Sequence, residues 1–159
     1  MNIESAKYLA IQLMDKHGLL SSGWHFQLDN SMRRFGVCSY RRKLISMSRH
    51  LIELNDEADV KDTILHEIAH ALTRGAKHGP VWKAKCVEIG CKPVRCYSVK
   101  NIVQPKMRYQ AKCGACGVLH QRVKALSALA PRRSCGCQSG PWDNRVLLTY
   151  IDTKKVMYL

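Results

Sequence analysis

The stretch that decides the fold and chemistry of this chain is His66-Glu67-Ile68-Ala69-His70, which fits the pattern H-E-x-x-H. It lies within residues 60–74, where apolar side chains recur at the spacing of an amphipathic helix, and Gly75 can end that helix. Residues four positions apart project from one helical face, so both imidazoles can bind one Zn²⁺. Glu67 sits beside them and can take a proton from a water that zinc acidifies. The stretch therefore predicts a catalytic zinc site with Glu67 as its general base.

The competing interpretation is a buried helix that carries two His and one Glu for structural reasons. Burial of three ionisable groups on an apolar helix costs several kcal/mol unless each group is paired or binds a metal. A third His, His78, follows shortly after the helix. We therefore favour a metal site.

A catalytic zinc needs a third protein ligand and one position open to water or substrate. His78 is the first candidate, because Gly75 lets the chain turn back and Gly79-Pro80 begins the next helix. Glu88, on that next helix, is the alternative, since carboxylates also bind zinc. We favour His78, because imidazole suits zinc and a loop flanked by glycines suits its approach.

The segments around this helix indicate an α+β protein with two domains. Helices are predicted over residues 3–17 and from Pro80 to Gly90, and short strands over residues 24–28, 35–40 and 44–48. The strands suggest a small antiparallel sheet on which the helices pack. From Tyr109 onwards cysteine pairs, glycines and basic residues replace the amphipathic patterns. We expect domains at residues 1–104 and 105–159, joined at Gln104-Pro105-Lys106.

The second domain contains two closely spaced cysteine pairs, Cys113 with Cys116 and Cys135 with Cys137. Four thiolates in two pairs predict a structural Zn²⁺ site, which a short ribbon with little apolar core needs in order to fold. The second pair is C-x-C, and a one-residue spacer narrows the distance between its sulfurs. His120 is therefore an alternative ligand in place of Cys137 or, less readily, Cys135.

The residues around the first site resemble the SprT-like (SprT/Spartan-like) zinc metalloprotease family. The resemblance rests on His66 to Leu72 followed by His78-Gly79-Pro80-Val81-Trp82, and on the upstream runs Trp24-His25-Phe26, Gly36 to Tyr40, Ile45 to Ser48 and Asp62 to Leu65. It implies zinc ligands at His66, His70 and His78, with Glu67 as general base. It also implies a zincin-like fold over residues 1–104, a C-terminal zinc ribbon, and protein substrates bound or crosslinked to DNA. The family's ribbon pairs two C-x-x-C motifs, from which the C-x-C of this chain departs.

The charge of the chain predicts a polyanionic partner, and the alternative is a basic surface that is only solvated. The formal net charge is +14, and residues 101–159 carry 10 basic and 2 acidic groups. We expect sequence-independent DNA binding by the second domain, because Lys and Arg neutralise phosphates and exposed aromatic rings stack on bases. Tyr109 and Trp142 either serve as such rings or fill the ribbon's core. The candidate DNA contacts are Lys106, Arg108, Lys112, Arg122, Lys124, Arg132 and Arg133.

The sequence also indicates where the protein is located. The first residues show no signal-peptide pattern and no run is long enough to span a membrane, so we expect a cytoplasmic monomer, near the nucleoid in bacteria or nuclear in eukaryotes. In that reducing setting the eight Cys are metal ligands or buried thiols.

The alternative to a protease is a non-enzymatic nucleic-acid-binding adaptor whose HExxH site is structural. A hydrolase acting on another kind of bond is a third possibility.

Overall fold

The chain folds as two compact units, Met1–Pro105 and Lys106–Leu159. The computed structural model describes residues 1–95, 102–122, 124, 133–137 and 144–153. Helices and small sheets occur together, which confirms the predicted α+β class. Among the described residues, no helix is both long enough and apolar enough to cross a membrane.

The first unit consists of helices around a three-stranded sheet. Its elements are α1 (Ile3–Lys16), β1 (His25–Asp29), β2 (Gly36–Ser39), β3 (Leu44–Ser48), α2 (Arg49–Leu54), α3 (Glu57–Leu72) and α4 (Pro80–Ile89). The short helix α2 was not predicted. Six residues are too few to show a helical period, and its N-terminal cap is the Ser48 side chain, which accepts from Leu51 N–H.

The sheet of the first unit is mixed, so the expectation of an antiparallel sheet was wrong for one strand pair. The strand order is β1-β3-β2, with β3 antiparallel to β2 but parallel to β1. The short turn after β2 makes an ordinary hairpin, whereas residues 30–35 carry the chain past β3 to its far side. As the central strand, β3 is buried along its whole length. Its two serines are satisfied there, since Ser46 donates to Asp29 Oδ2 and Ser48 donates to the Ser31 carbonyl.

The helix α3 is the centre of the first unit. It begins three residues before the predicted start, because Asp56 caps it by accepting from the Asp59 N–H. Val60, Ile64 and Ile68 are fully buried on its apolar face. That face packs against α1, α4 and β2, which holds α3 rigidly where its functional side chains project.

The second unit has a sheet of its own and a small core. Its elements are β4 (Tyr109–Lys112), β5 (Leu119–Arg122), a 3₁₀ turn (Asn144–Val146) and β6 (Ile151–Asp152), and the antiparallel strand order is β5-β4-β6. Among its described residues, the buried cluster comprises Ala111, Cys113, Val146 and Leu148. This cluster by itself contributes little hydrophobic free energy, and a bound metal would add to the stability of the unit.

Candidate metal centres

Three histidines converge at the C-terminal end of α3. His66 and His70 project from the helix, and the loop that follows brings His78 to them; their candidate ligand atoms all lie within 4.8 Å of one another. The Nε2 atoms of His70 and His78 are 3.1 Å apart. Two ligands on a tetrahedral zinc, each about 2.0–2.1 Å from it, would be about 3.3 Å apart. The three imidazoles therefore have the spacing of a zinc site.

The loop between α3 and α4 has the backbone conformation needed to place His78. Thr73 ends α3, and Gly75 then adopts a φ of +84°, a left-handed conformation that glycine reaches without strain. Gly79 N–H donates to the Ala76 carbonyl, which closes the loop just before α4. The chain thus reverses direction within seven residues and presents His78 beside the last turn of α3.

Trp82 forms one wall of the histidine cluster. Its side chain is fully buried, its ring stacks on His70 at 5.1 Å, and it meets His66 and His78 edge-on at 4.8 and 4.7 Å. A bulky ring against all three imidazoles restricts their rotamers before any ion binds.

The protonation of the three histidines suits a divalent cation. Burial and the neighbouring imidazoles lower the pKa of both His66 and His70 to about 4, and burial with the charge of Arg95 lowers the pKa of His78. At neutral pH the rings are therefore neutral and offer lone pairs. Three neutral imidazoles are a donor set that zinc accepts.

Glu67 lies buried between α3 and β2, next to Gly36. Its side chain is buried, and its carboxylate accepts a hydrogen bond from the backbone N–H of Cys38. Burial raises the pKa of Glu67 to about 7, an effect that the charge of Arg34 and the Cys38 N–H partly offset. A carboxyl group with a pKa near neutrality can both accept and release a proton under physiological conditions.

Gly36 leaves the space that Glu67 occupies. A Cβ atom at position 36 would lie 2.8 Å from Glu67 Cγ, 2.9 Å from Glu67 Oε1 and 3.0 Å from Met47 Sδ. Contacts this short would force the Glu67 carboxylate out of its niche. The sequence run Gly36 to Tyr40 belonged to the resemblance, but nothing in it indicated this contact.

We expect Gly36→Ala to lose catalytic activity while keeping its metal. Overpacking of a core costs about 1–3 kcal/mol, and here the displaced group is the proposed base rather than a histidine ligand. Zinc content, thermal unfolding and cleavage rate would be measured together. The control is Gly90→Ala, which is strained by a φ of +87° but has no neighbour within 4 Å of the added Cβ. Activity lost equally in both variants would indicate a general stability effect and contradict the prediction.

Tyr40 ties the two ligand-bearing segments together. Its hydroxyl donates to the His70 carbonyl at 2.6 Å and accepts from the Gly75 N–H. The last turn of α3 is thereby linked to the loop that carries His78. Sequence reasoning gave Tyr40 no role, because a hydrogen bond across 30 residues leaves no local pattern.

Glu88, the alternative third ligand, lies outside the histidine cluster. Its carboxylate is exposed on α4 and pairs with Lys85 at 2.6 Å, one turn away on the same helix. The structure therefore brings His78, rather than Glu88, to His66 and His70.

Four cysteines of the second unit form a second metal-capable group. The sulfur atoms of Cys113, Cys116, Cys135 and Cys137 all lie within 4.8 Å of one another. The Sγ atoms of Cys113 and Cys137 are 3.8 Å apart, and those of Cys116 and Cys135 are 3.5 Å apart. Four sulfurs around a zinc at about 2.3 Å would be about 3.8 Å apart. These four thiols could therefore hold one metal ion, and their spacing is compatible with zinc.

Two backbone features prepare the four cysteines for a metal ion. The N–H groups of Cys116 and Ala115 point at Cys113 and lower the pKa of its thiol to about 7, which favours the thiolate that a metal requires. Gly136 takes a φ of +74°, and this conformation lets the one-residue spacer turn both Cys135 and Cys137 inward. His120 Nε2 lies 3.1 Å from Cys135 Sγ, against the cluster rather than in place of one of its sulfurs.

The remaining cysteines within the described residues do not join either group. Cys86 and Cys91 are buried beside each other at the end of α4, and Cys38 is half-buried beside Glu67 with its thiol pKa raised to about 12 by burial. Cys96 lies outside the described residues.

The candidate DNA contacts of the second unit differ in their surroundings. Lys106, Lys112, Lys124 and Arg133 are exposed, whereas Arg132 and Trp142 lie outside the described residues. Arg108 makes a two-pronged ion pair with Asp152, which reduces the charge it can offer to a phosphate. Arg122 lies over the ring of Tyr150 at 5.7 Å, and Tyr109 is half-buried below Arg108.

The fold and these two groups define an α+β protein that could hold metal ions at a three-histidine site and at a four-cysteine site, both compatible with zinc. The model of the SprT-like family matches residues 8–106, more than half of the chain, so this chain belongs to the SprT-like family. That finding confirms the resemblance and associates the first unit with a metallopeptidase-like domain. The match includes Glu67 and all three histidines and ends before the first ribbon cysteine. A comparison with curated proteins finds no match.

Proposed function

We propose that this chain is a zinc-dependent metalloendopeptidase that cleaves proteins bound or crosslinked to DNA. The observation that carries the proposal is the contrast between its two metal-capable groups. Among the described residues, the cysteine group has four protein ligands, whereas the histidine group has three and stands beside the buried carboxyl group of Glu67. Four protein ligands are typical of structural zinc, and three with an open position are typical of catalytic zinc.

In this proposal the first unit is a zincin-like domain that binds one catalytic zinc ion. His66, His70 and His78 would hold the ion, and they line a cleft of about 500 Å³ together with Gly36, Cys38 and Tyr40. When bound, zinc supplies Lewis-acid chemistry that polarises the scissile carbonyl and acidifies the attacking water.

Glu67 performs the proton transfers of the proposed reaction. Its carboxylate takes a proton from the attacking water and later passes it to the leaving amine, as peptide hydrolysis requires. The backbone N–H of Cys38 orients the carboxylate, and Gly36 leaves room for it among the residues that line the cleft.

The second unit is proposed to hold a structural zinc ion and to bind DNA without sequence preference. The support is its exposed lysines and arginines on a scaffold with a metal-capable cysteine cluster. DNA binding by this unit would raise the local concentration of proteins attached to DNA around the peptidase.

The function is tested by incubating the zinc-loaded chain with a protein crosslinked to an oligonucleotide, and with the same protein free in solution. We expect fragments from the crosslinked protein and slower cleavage of the free one. Tight DNA binding without any cleavage would support the non-enzymatic adaptor instead. If the crosslinked and the free protein were cleaved at equal rates, the chain would be a peptidase whose activity does not depend on DNA.

DNA binding is expected to weaken steeply with salt. Each phosphate contact contributes about 0.7–0.9 to the slope of log affinity against log salt. The triple variant Lys106→Ala, Lys112→Ala, Lys124→Ala should therefore flatten that slope by about 2–3 in fluorescence anisotropy titrations. A matched triple variant of exposed lysines on the first unit, at Lys16, Lys61 and Lys83, should leave it unchanged. If the wild type and both triple variants had the same salt dependence, the second unit would not be the DNA-binding surface.

A further inference from the structure

A second cavity, of about 300 Å³, adjoins the catalytic cleft on the other side of Glu67. Gly36, His66, Glu67 and Arg95 line both cavities, so the two cavities share these residues. Three arginines, Arg33, Arg34 and Arg95, line the second cavity, which we name the arginine pocket. The proposed reaction uses none of these arginines.

The described residues that line the arginine pocket carry more positive than negative charge, although Asp29 partly offsets Arg34. Among its described lining residues the one acidic group is Glu67, which has its own role in the cleft. Arg34 acts electrostatically on Glu67 and Arg95 acts on His78, so positive charge reaches the reacting groups from this side. A basic side chain of a substrate would be repelled here, and an acidic one would be attracted.

Arg34 is linked to the end of β1 by one ion pair, although its side chain is 53% exposed. Its Nη2 donates to Asp29 Oδ2 at 2.9 Å, and that carboxylate also accepts from the Ser46 hydroxyl and the Ser31 N–H. The ion pair uses one donor of the guanidinium, which has five. An oriented guanidinium with donors to spare is suited to bind a carboxylate.

The floor of the arginine pocket is apolar. Phe35 and Ile102 line it, and both side chains are more than nine-tenths buried. A short aliphatic stem that ends in a carboxylate matches an apolar floor below basic groups. Glutamate and aspartate side chains have this construction.

We propose that the arginine pocket is a specificity subsite that binds an acidic side chain close to the peptide bond to be cleaved. The inference rests on the proposed peptidase function and specifies its substrate class. An extended peptide advances about 3.3 Å per residue, so a side chain in a pocket that shares its wall with Glu67 belongs to a residue near the scissile bond. Arg34 and Arg95 are then specificity-determining residues.

The test uses fluorescent peptides in which one Glu is moved along a neutral sequence, with the Gln peptide at each position as reference. Peptide binding is measured on the zinc-loaded Glu67→Gln chain, and kcat/KM is measured on the wild-type chain. We expect one position at which Glu improves both quantities by about tenfold over Gln. The double variant Arg34→Ala, Arg95→Ala should lose this preference, whereas Arg49→Ala, which removes an exposed charge outside the pocket, should keep it.

The outcomes separate this inference from the proposed function. Cleavage without any preference for Glu would overturn the subsite and leave the peptidase intact. A positional Glu preference in binding, without cleavage by the wild type, would keep the subsite and reject the peptidase. Equal binding of Glu and Gln peptides, with DNA affinity lost in the double variant, would assign the pocket to phosphates and overturn the proposal.

Discussion

Glu67→Gln is expected to lower the rate of substrate cleavage by about a thousandfold, within the range of general base catalysis. A glutamine amide has nearly the shape of the carboxylate, so it fits between Gly36 and Met47 and can still accept from the Cys38 N–H. It cannot take a proton from water. The three histidines are unchanged, so zinc content should equal that of the wild type.

The pH dependence of stability tests the burial of Glu67 independently of catalysis. Because burial raises the pKa of Glu67 from 4.5 to about 7, the folded metal-free chain holds a proton that the unfolded chain releases. The free energy of unfolding of the wild type relative to Glu67→Gln should therefore fall as the pH rises from 4.5 to 7. The opposite pH dependence that comes from the lowered pKa of His66 and His70 is common to both proteins and cancels in this difference. Urea unfolding of both metal-free proteins at pH 5 and pH 8 would measure it.

Glu88→Gln is the matched control for catalysis, because it makes the same chemical change at an exposed carboxylate on α4. Its cleavage rate and zinc content should equal those of the wild type. If Glu67→Gln kept more than a tenth of wild-type activity, or if Glu88→Gln lost a zinc ion, the proposed assignment of roles would be wrong.

Cys116→Ser is expected to release one zinc ion per chain and to unfold the second unit. Cys116 is exposed, so the substitution costs little packing, and its effect should come through the metal. Structural zinc contributes about 10–16 kcal/mol to the folding of small zinc domains, a large share of the stability of any domain of this size. Limited proteolysis followed by mass spectrometry should show new cleavage within residues 106–159 and none within 1–105.

His120→Ala distinguishes the two ligand sets that the sequence left open. His120 lies against Cys135, so its removal should weaken zinc affinity by about 10–100-fold, as the loss of a group outside the ligand set does, without lowering the zinc count at saturation. If His120→Ala lost the ion while Cys116→Ser retained it, the four-cysteine assignment would be refuted.

The sequence predicted best the features that depend on local spacing. Two His and a Glu on one amphipathic helix have nearly fixed relative positions, so α3 and the convergence of His66 with His70 needed no tertiary information. The strand bounds of β3 and the end of α4 at Gly90 followed from equally local signals.

The features that the sequence did not predict are contacts between distant segments. The parallel pairing of β1 with β3 depends on the path of residues 30–35, which has no local pattern. The same applies to Gly36 against Glu67 and to Tyr40 across the α3–α4 loop. The arginine pocket assembles residues from before β2, from after α4 and from α3, and only the folded chain brings them together.

The most direct test of a catalytic zinc at His66, His70 and His78 is a zinc titration of the metal-free chain. Bound zinc and the cleavage rate of a DNA-crosslinked protein are measured on the same samples. We predict no cleavage without metal, full cleavage as binding reaches two ions per chain, and, for His66→Ala, one bound ion without cleavage. Cleavage by the metal-free chain, or by His66→Ala with one ion bound, would contradict the proposed catalytic site.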